Sequence, residues 1–469
     1  MRRQTWTSRF TYILTVAGAT IGFGATWRFP YMVGENGGGA YVLLFIIAMF
    51  LVGVPIILVE NVIGRRAHKN SVDAFGGEVN GKKINELWKI VGYAGLFGSY
   101  AIMAYYMVLG AWVITYILNI FYSIFGFNGF DLSNVVTADI TSDFYTKNIE
   151  QNPLMISIYT FLFVFINWFI LRRGVIDGIE KFVKYLMPLL FLCLIAMLIR
   201  NVTLDGALEG IKFYLYPDFS KITPSIFLYV IGQVFFALSL GFGVMITLSS
   251  HLDKKEDLLK TAIITGIVNT LVAVLAGFMI FPSLFSFGLS PDAGPSLVFK
   301  TLPIVFSHMH FGNFFAIVFF ILLLTAALTT SLPIYQVIIS VLEEKFKISK
   351  NTSINLVLGG IFILGNVPAL LSYGVLDNVL IYGRNIFDTF DFISGNILFV
   401  ITSLLCVFFV AFVLKKDEAI REISNNYELK NPLYKAWFYY IKYFIPVVII
   451  VIFISGFENL KSYILGFFN

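Results

Sequence analysis

The chain alternates between long apolar runs and short polar connections. Crossing the hydrocarbon core of a bilayer takes about 20 apolar residues in a helix. Eleven runs reach that length: residues 11–35, 41–64, 89–122, 153–171, 178–200, 224–250, 258–283, 311–343, 352–371, 386–414 and 434–456. Lipid leaves exposed backbone groups no water to bond, so the runs are predicted as helices. A barrel would instead show short strands alternating in hydrophobicity, and these runs are continuous. The pattern predicts an all-α membrane protein of about eleven transmembrane helices.

Two spans are interrupted by small residues. Span 1 contains Ala17-Gly-Ala-Thr-Ile-Gly22-Phe-Gly24-Ala25, and span 6 contains Ser239-Leu-Gly-Phe-Gly243. Glycine weakens a helix interior by about 1 kcal/mol relative to alanine. In membranes such residues either let helices pack closely or mark unwound backbone, which is tolerated only where it lines a cavity. Span 1 opens the first five helices and span 6 the next five. Glycine interruptions at corresponding places in two halves point to inverted repeats around a central site. The expected organisation is a cytoplasmic gate segment (1–10), a first repeat (11–200), a second repeat (224–414), and helix 11 with a short tail (434–469).

Charge fixes the orientation. Only 13% of the 469 residues are charged and 58% are hydrophobic, where a soluble domain carries about 25% charged residues. With the N-terminus in the cytoplasm, inside segments and the span ends beside them hold 24 Lys and Arg, and the outside ones seven. That bias follows the positive-inside rule and places the C-terminus outside. The net charge of +5 follows from topology, not from nucleic-acid binding. The first apolar run is too long for a cleavable signal peptide. Cys193 and Cys406 form no metal or redox spacing, the four histidines are scattered, and no nucleophile–base constellation lies at membrane depth. An enzyme is not expected.

A half-helix N-terminus suits a carboxylate, and the carbonyl ends of unwound backbone suit a small cation such as sodium. Hydroxyls in Ala326-Ala-Leu-Thr-Thr-Ser331 of span 8 offer further oxygens. Charges near the spans are expected to act: Arg28 and Asp391 on the outer side, Arg3 and Glu344 on the inner. Glu60, in span 2, has no partner legible from pattern.

These residues resemble the neurotransmitter:sodium symporters. The resemblance covers most of the chain and rests on Trp6-Thr-Ser-Arg9, Gly22-Phe-Gly24, Arg28-Phe-Pro30, Glu35-Asn-Gly-Gly-Gly39, Tyr105-Tyr106, Arg173-Gly174, Gly178-Ile-Glu-Lys181, Gly232-Gln-Val-Phe-Phe236, Ser239-Leu-Gly-Phe-Gly243 and Thr301-Leu-Pro303. It implies a leucine-transporter-like fold of 5+5 inverted repeats with helices 1 and 6 unwound at mid-membrane. It also implies a bacterial inner (plasma) membrane location and secondary active sodium symport of an amino acid. The implied substrate site comprises Ala19, Thr20, Phe23, Gly24, Ile102, Tyr106, Phe236, Ser239, Phe242, Thr330 and Ile334. The Gly24 N–H and Tyr106 hydroxyl would hold the carboxylate. Gly22 stands where the monoamine branch has Asp, which favours an amino acid, and the apolar lining favours a hydrophobic or aromatic one.

The implied sodium ligands are Gly18, Ile21, Ala326, Thr329 and Thr330. The implied gates are Arg28 with Asp391 outside, and Arg3, Trp6, Ser250 and Glu344 inside. The chain departs from the family at its other ion positions. Ala25 and Ala237 replace oxygen-bearing side chains of the first sodium site, leaving Asn269. Phe45 and Ala273 replace polar residues of the chloride site, leaving Gln233. One sodium per substrate and no chloride dependence are therefore expected. An amino-acid sensor, or a proton-coupled transporter of the same fold, is the alternative.

Overall fold

A computed structural model describes residues 5–291, 297–451 and 453–454, without the side chain of Asn396. Among these residues, ten helices are long and apolar enough to cross a membrane: helix 1 (Arg9–Glu35), helix 2 (Gly39–Ala67), helix 3 (Glu86–Ile124), helix 4 (Pro153–Leu171), helix 5 (Val175–Val202), helix 7 (Leu258–Ser286), helix 8 (Gly312–Glu344), helix 9 (Lys350–Leu371), helix 10 (Ile386–Ile423) and helix 11 (Leu433–Val451). The remaining expected span is helix 6, made of two shorter pieces, Pro224–Ala237 and Val244–Ser249. Neither piece is long enough alone to cross the hydrocarbon core. The eleven expected spans thus agree with the helices, the sixth being broken where its glycines lie. The expected tail beyond residue 454 lies outside the described residues.

Helix 10 breaks at its expected end, 414: Lys415 leaves the helical course (φ 64°, ψ 177°), and a further helical segment follows it to Ile423. The added segment, Lys415–Ile423, is amphipathic and mostly polar, so hydropathy hides it. A small antiparallel hairpin pairs Glu78–Val79 with Lys82–Lys83. Its turn is Asn80-Gly81, both at positive φ (50° and 76°), a dipeptide that favours such tight hairpins.

Helices 1, 3 and 8 are the most enclosed, whereas helices 4, 5 and 11 leave most of their surface outward. Outward positions on these peripheral helices include Phe161, Leu192 and Val447, all exposed, as suits contact with lipid. Small residues let the central helices approach. A Cβ on Gly18 of helix 1 would lie 3.1 Å from Thr329 Cβ of helix 8.

At the expected cytoplasmic ends the helices are joined by charges. Arg65, fully buried at the end of helix 2, pairs through Nε with Glu422 Oε1 at 2.6 Å and donates to the Glu256 and Glu422 carbonyls. Arg66 meets Glu418 at 3.5 Å and Arg9 meets Glu256 at 3.5 Å. The Lys415–Ile423 segment is thereby fastened to helix 2. Removing one member of a buried pair strands the other charge, at a cost of about 3–5 kcal/mol. Arg65→Met is therefore expected to lower the thermal midpoint of the purified protein far more than Arg421→Met, which removes a half-exposed partner and leaves Glu418 its contact with Arg66; equal effects would contradict this.

Candidate functional site

Helix 1 loses its helical course at Gly22, whose φ and ψ are 13° and −154°. A side chain there would run into the Thr330 hydroxyl, and its Cβ would lie 2.7 Å from the Tyr106 hydroxyl. A Cβ on Gly24 would lie 3.1 Å from the Phe236 ring and 3.2 Å from Ala237 Cα. Helix 1 therefore meets helices 3, 6 and 8 along glycine. Helix 6 breaks between Ala237 and Val244, with Ser239, Gly241 and Gly243 in the left-handed region (φ 50°, 82° and 78°).

Unwound backbone must find partners for its polar groups. Here side chains supply them. Glu60 Oε1 accepts from the Gly241 N–H at 2.7 Å. Ser99 Oγ donates to the Phe242 carbonyl at 3.0 Å, and Ser239 Oγ to that of Ala19 at 3.1 Å. Gln233 Nε2 donates to the Gly24 carbonyl at 2.7 Å. Asn269 Nδ2 donates to the Thr20 and Ala237 carbonyls, each at 3.1 Å. Glu60, which had no partner legible in the sequence, thus holds the helix 6 break in place.

Around the expected sodium ligands, Thr330 Oγ1 lies 2.9 Å from the Gly18 carbonyl across the helix 1–helix 8 contact. Thr329 Oγ1 lies 3.0 Å from the Ala326 carbonyl. Gly18, Ile21, Ala326, Thr329 and Thr330 are all buried. Their donors are neutral oxygens, which suit a hard cation. Among the described residues no group of three His, Cys, Asp or Glu gathers that could hold a softer metal.

The expected substrate residues fall at the same level. Phe23 and Tyr106 stack obliquely, ring centres 4.9 Å apart, and the Phe23 N–H points at the Tyr106 hydroxyl at 3.4 Å. The Gly24 N–H, expected to face a carboxylate, bonds back to the Ile21 carbonyl, and the Thr20 hydroxyl bonds back to Ala17. Ile102 and Ile334 are buried, one helical turn from Tyr106 and Thr330 on the same faces. Phe242 and Phe236 both pack on Phe399 of helix 10, and a Cβ on Gly241 would strike the Phe399 carbonyl. Phe399 was not anticipated: Ile397, Leu398, Val400 and Ile401 on either side of it are equally apolar, so no periodicity marks it.

On the outer side, Arg28 does not pair with Asp391: no ion pair within 4.0 Å joins them. The Arg28 guanidinium instead lies over the Phe236 ring, 4.5 Å from its centre. On the inner side, Trp6 Nε1 donates to the Leu248 carbonyl at 3.0 Å, and its ring packs on Tyr12 and His251. The Ser250 carbonyl lies 2.9 Å from His68 Nδ1. Glu344 Oε2 accepts from the Asn70 backbone N–H and side-chain amide, at 2.9 and 3.2 Å. Arg3 lies outside the described residues. Asn70 is a further residue that the sequence did not single out. It also bonds Asp73, whose carboxyl is partly buried, yet the amide, Lys345 and Lys89 together hold it below its ordinary range.

A buried donor left without an acceptor costs about 1–3 kcal/mol. Glu60→Leu should therefore lower the thermal midpoint markedly, whereas Glu60→Gln, which keeps an acceptor for the Gly241 N–H, should lower it less. Equal losses would contradict the assigned contact.

The chain has clear relatives. A profile of the sodium:neurotransmitter symporter family matches residues 3–152 and 133–468. The chain is 60% identical to an uncharacterized sodium-dependent transporter of Haemophilus influenzae, over 97% of this chain and 98% of the relative. It is 35% identical to one of Bacillus subtilis, over 96% and 97%. Among solved structures it is similar to MhsT in complex with L-phenylalanine, with a TM-score of 0.86 and 35% identity, covering 97% of this chain and all of that one. Broken helices 1 and 6, enclosed by helices 3 and 8, and full-length likeness to these transporters lead to one conclusion: the protein is a member of the sodium:neurotransmitter symporter family.

Proposed function

We propose that the protein couples inward sodium flow to uptake of a hydrophobic or aromatic amino acid by alternating access across a bacterial inner membrane. The N-terminus is taken as cytoplasmic and the C-terminus as external. One sodium accompanies each substrate, and chloride is not required. The observation that carries this reading is the meeting of helix 1 and helix 8 through Thr330 Oγ1 and the Gly18 carbonyl, 2.9 Å apart, amid the other oxygens of Ile21, Ala326 and Thr329. A sodium ion there would bridge the two helices, so its binding and the position of helix 1 are linked.

The substrate reading rests on the same place. Gly22 brings no acidic side chain to the Tyr106 hydroxyl, and Phe23, Ile102, Phe236, Phe242 and Ile334 supply an apolar lining. The relative MhsT, solved with L-phenylalanine, supports this class. Burying an apolar side chain is worth about 1.5–3 kcal/mol, so related side chains would be separated only weakly. Against chloride, Phe45 and Ala273 offer no hydroxyl. Gln233 gives one of its two amide N–H groups to the Gly24 carbonyl, and its Oε1 is a buried acceptor without a partner among the described residues. An acceptor repels an anion.

Alternation would work through the two gates. The inner contacts of Trp6, Glu344 and Asn70 seal one side. Arg28, resting on Phe236, roofs the other and can leave that ring for Asp391 as the outer side closes.

Hydrogen bonds to charged groups contribute about 1.5–3 kcal/mol, roughly tenfold or more in affinity. Thr330→Val should raise the sodium concentration needed for half-maximal uptake in proteoliposomes by at least that factor; unchanged sodium dependence would reject the helix 1–helix 8 site. In a thermal-shift series of the twenty amino acids with sodium, hydrophobic and aromatic ones should stabilise most. A charged amino acid giving the largest shift would overturn the substrate class.

A further inference from the structure

The breaks in helices 1 and 6 turn two carbonyls, those of Thr20 and Ala237, toward a single side-chain group. That group is Nδ2 of Asn269 on helix 7, fully buried and 3.1 Å from each. Carbonyls released by unwound helices at mid-membrane are the groups that coordinate coupling cations. Here a neutral NH2 joins the pair. No side-chain oxygen comes from Ala25 or Ala237. Asn269 Oδ1 is buried and has no hydrogen-bond partner among the described residues.

The direction of the amide matters. With its NH2 turned to the carbonyls, both carbonyls are satisfied, and only Asn269 Oδ1 is left without a partner among the described residues. Turned the other way, its oxygen would face two carbonyl oxygens across about the same distance. Three acceptors so placed have no donor between them and repel one another unless a cation lies among them. The hydrogen-bonded orientation is thus the ion-free one.

We propose that the Asn269 side-chain amide stands in for a second coupling cation: it ties the helix 1 break to the helix 6 break by hydrogen bonds, where an ion would otherwise be required. The proposal deepens the reading of one sodium per substrate and rests on it. Asn269 acts as a positioning residue. The tie holds at any sodium concentration, so sodium reaches the substrate only through the helix 1–helix 8 site. A substrate carboxylate then meets no cation beside Thr20.

The test is a sodium titration of L-phenylalanine binding to the purified full-length protein at constant ionic strength and pH 8. The thermal midpoint in sodium alone is a second readout. For the unaltered protein the Hill coefficient should be about 1. Asn269→Asp replaces the donor by a charged acceptor and should raise the coefficient toward 2, with a thermal midpoint that becomes more sodium-dependent. Asn269→Leu removes the tie without adding a ligand. It should lower the midpoint and leave the coefficient near 1. A coefficient near 2 in the unaltered protein, falling to 1 in Asn269→Leu, would overturn the proposal, because Oδ1 would then be holding a second ion. If neither variant folds, the sodium carried per substrate by the unaltered protein in proteoliposomes decides: one supports the proposal, two overturns it. Two sodium ions with Thr330→Val still impairing uptake would reject the role of Asn269 alone. Loss of all sodium dependence would reject the parent reading and this proposal together.

Discussion

Backbone that leaves the helix inside a membrane must find a partner for every polar group it frees, and the interior of this protein is arranged around that requirement. Two helices unwind at the same level. Their freed groups are taken up by Glu60, Ser99, Gln233, Ser239 and Asn269. The partners come from helices 2, 3, 6 and 7. The break is therefore not a local irregularity but the point on which the bundle converges. It also explains where glycine is needed: at Gly22 a side chain would strike Thr330 and crowd the Tyr106 hydroxyl, and at Gly241 the backbone is left-handed and pressed against helix 10.

Much of this was legible in the sequence, for physical reasons. A lipid-crossing helix needs a long apolar run, so the spans could be counted. The broken sixth span could also be identified, because glycine and serine interrupt an otherwise apolar stretch at the place corresponding to the interruption of span 1. The threonine pair of helix 8 stood out as paired hydroxyls in an apolar run.

What was not legible depends on contacts between helices. Glu60 was visible as a buried charge, but its partner is a backbone N–H 181 residues away, which leaves no trace in pattern. Phe399 lies in a run where hydrophobicity carries no direction. Arg28 was expected to face Asp391, yet it rests on Phe236; both are reasonable partners for a guanidinium, and only geometry separates them. The segment Lys415–Ile423, which follows the break at the end of helix 10, is polar on one face, so hydropathy does not mark it. That Ala25 and Ala237 stand where the family carries oxygen-bearing side chains followed from the resemblance. That Asn269 bridges the Thr20 and Ala237 carbonyls did not.

The unwound helices are held by two side-chain amides, two serine hydroxyls and Glu60, and on the proposed reading one cluster of neutral oxygens between helix 1 and helix 8 is left for an ion. The most direct test of that account is the coupled flux of sodium and substrate measured together in proteoliposomes. The account predicts one sodium entering per amino acid, with uptake abolished when the sodium gradient is removed. Uptake that persists without a sodium gradient, driven by protons alone, would contradict it.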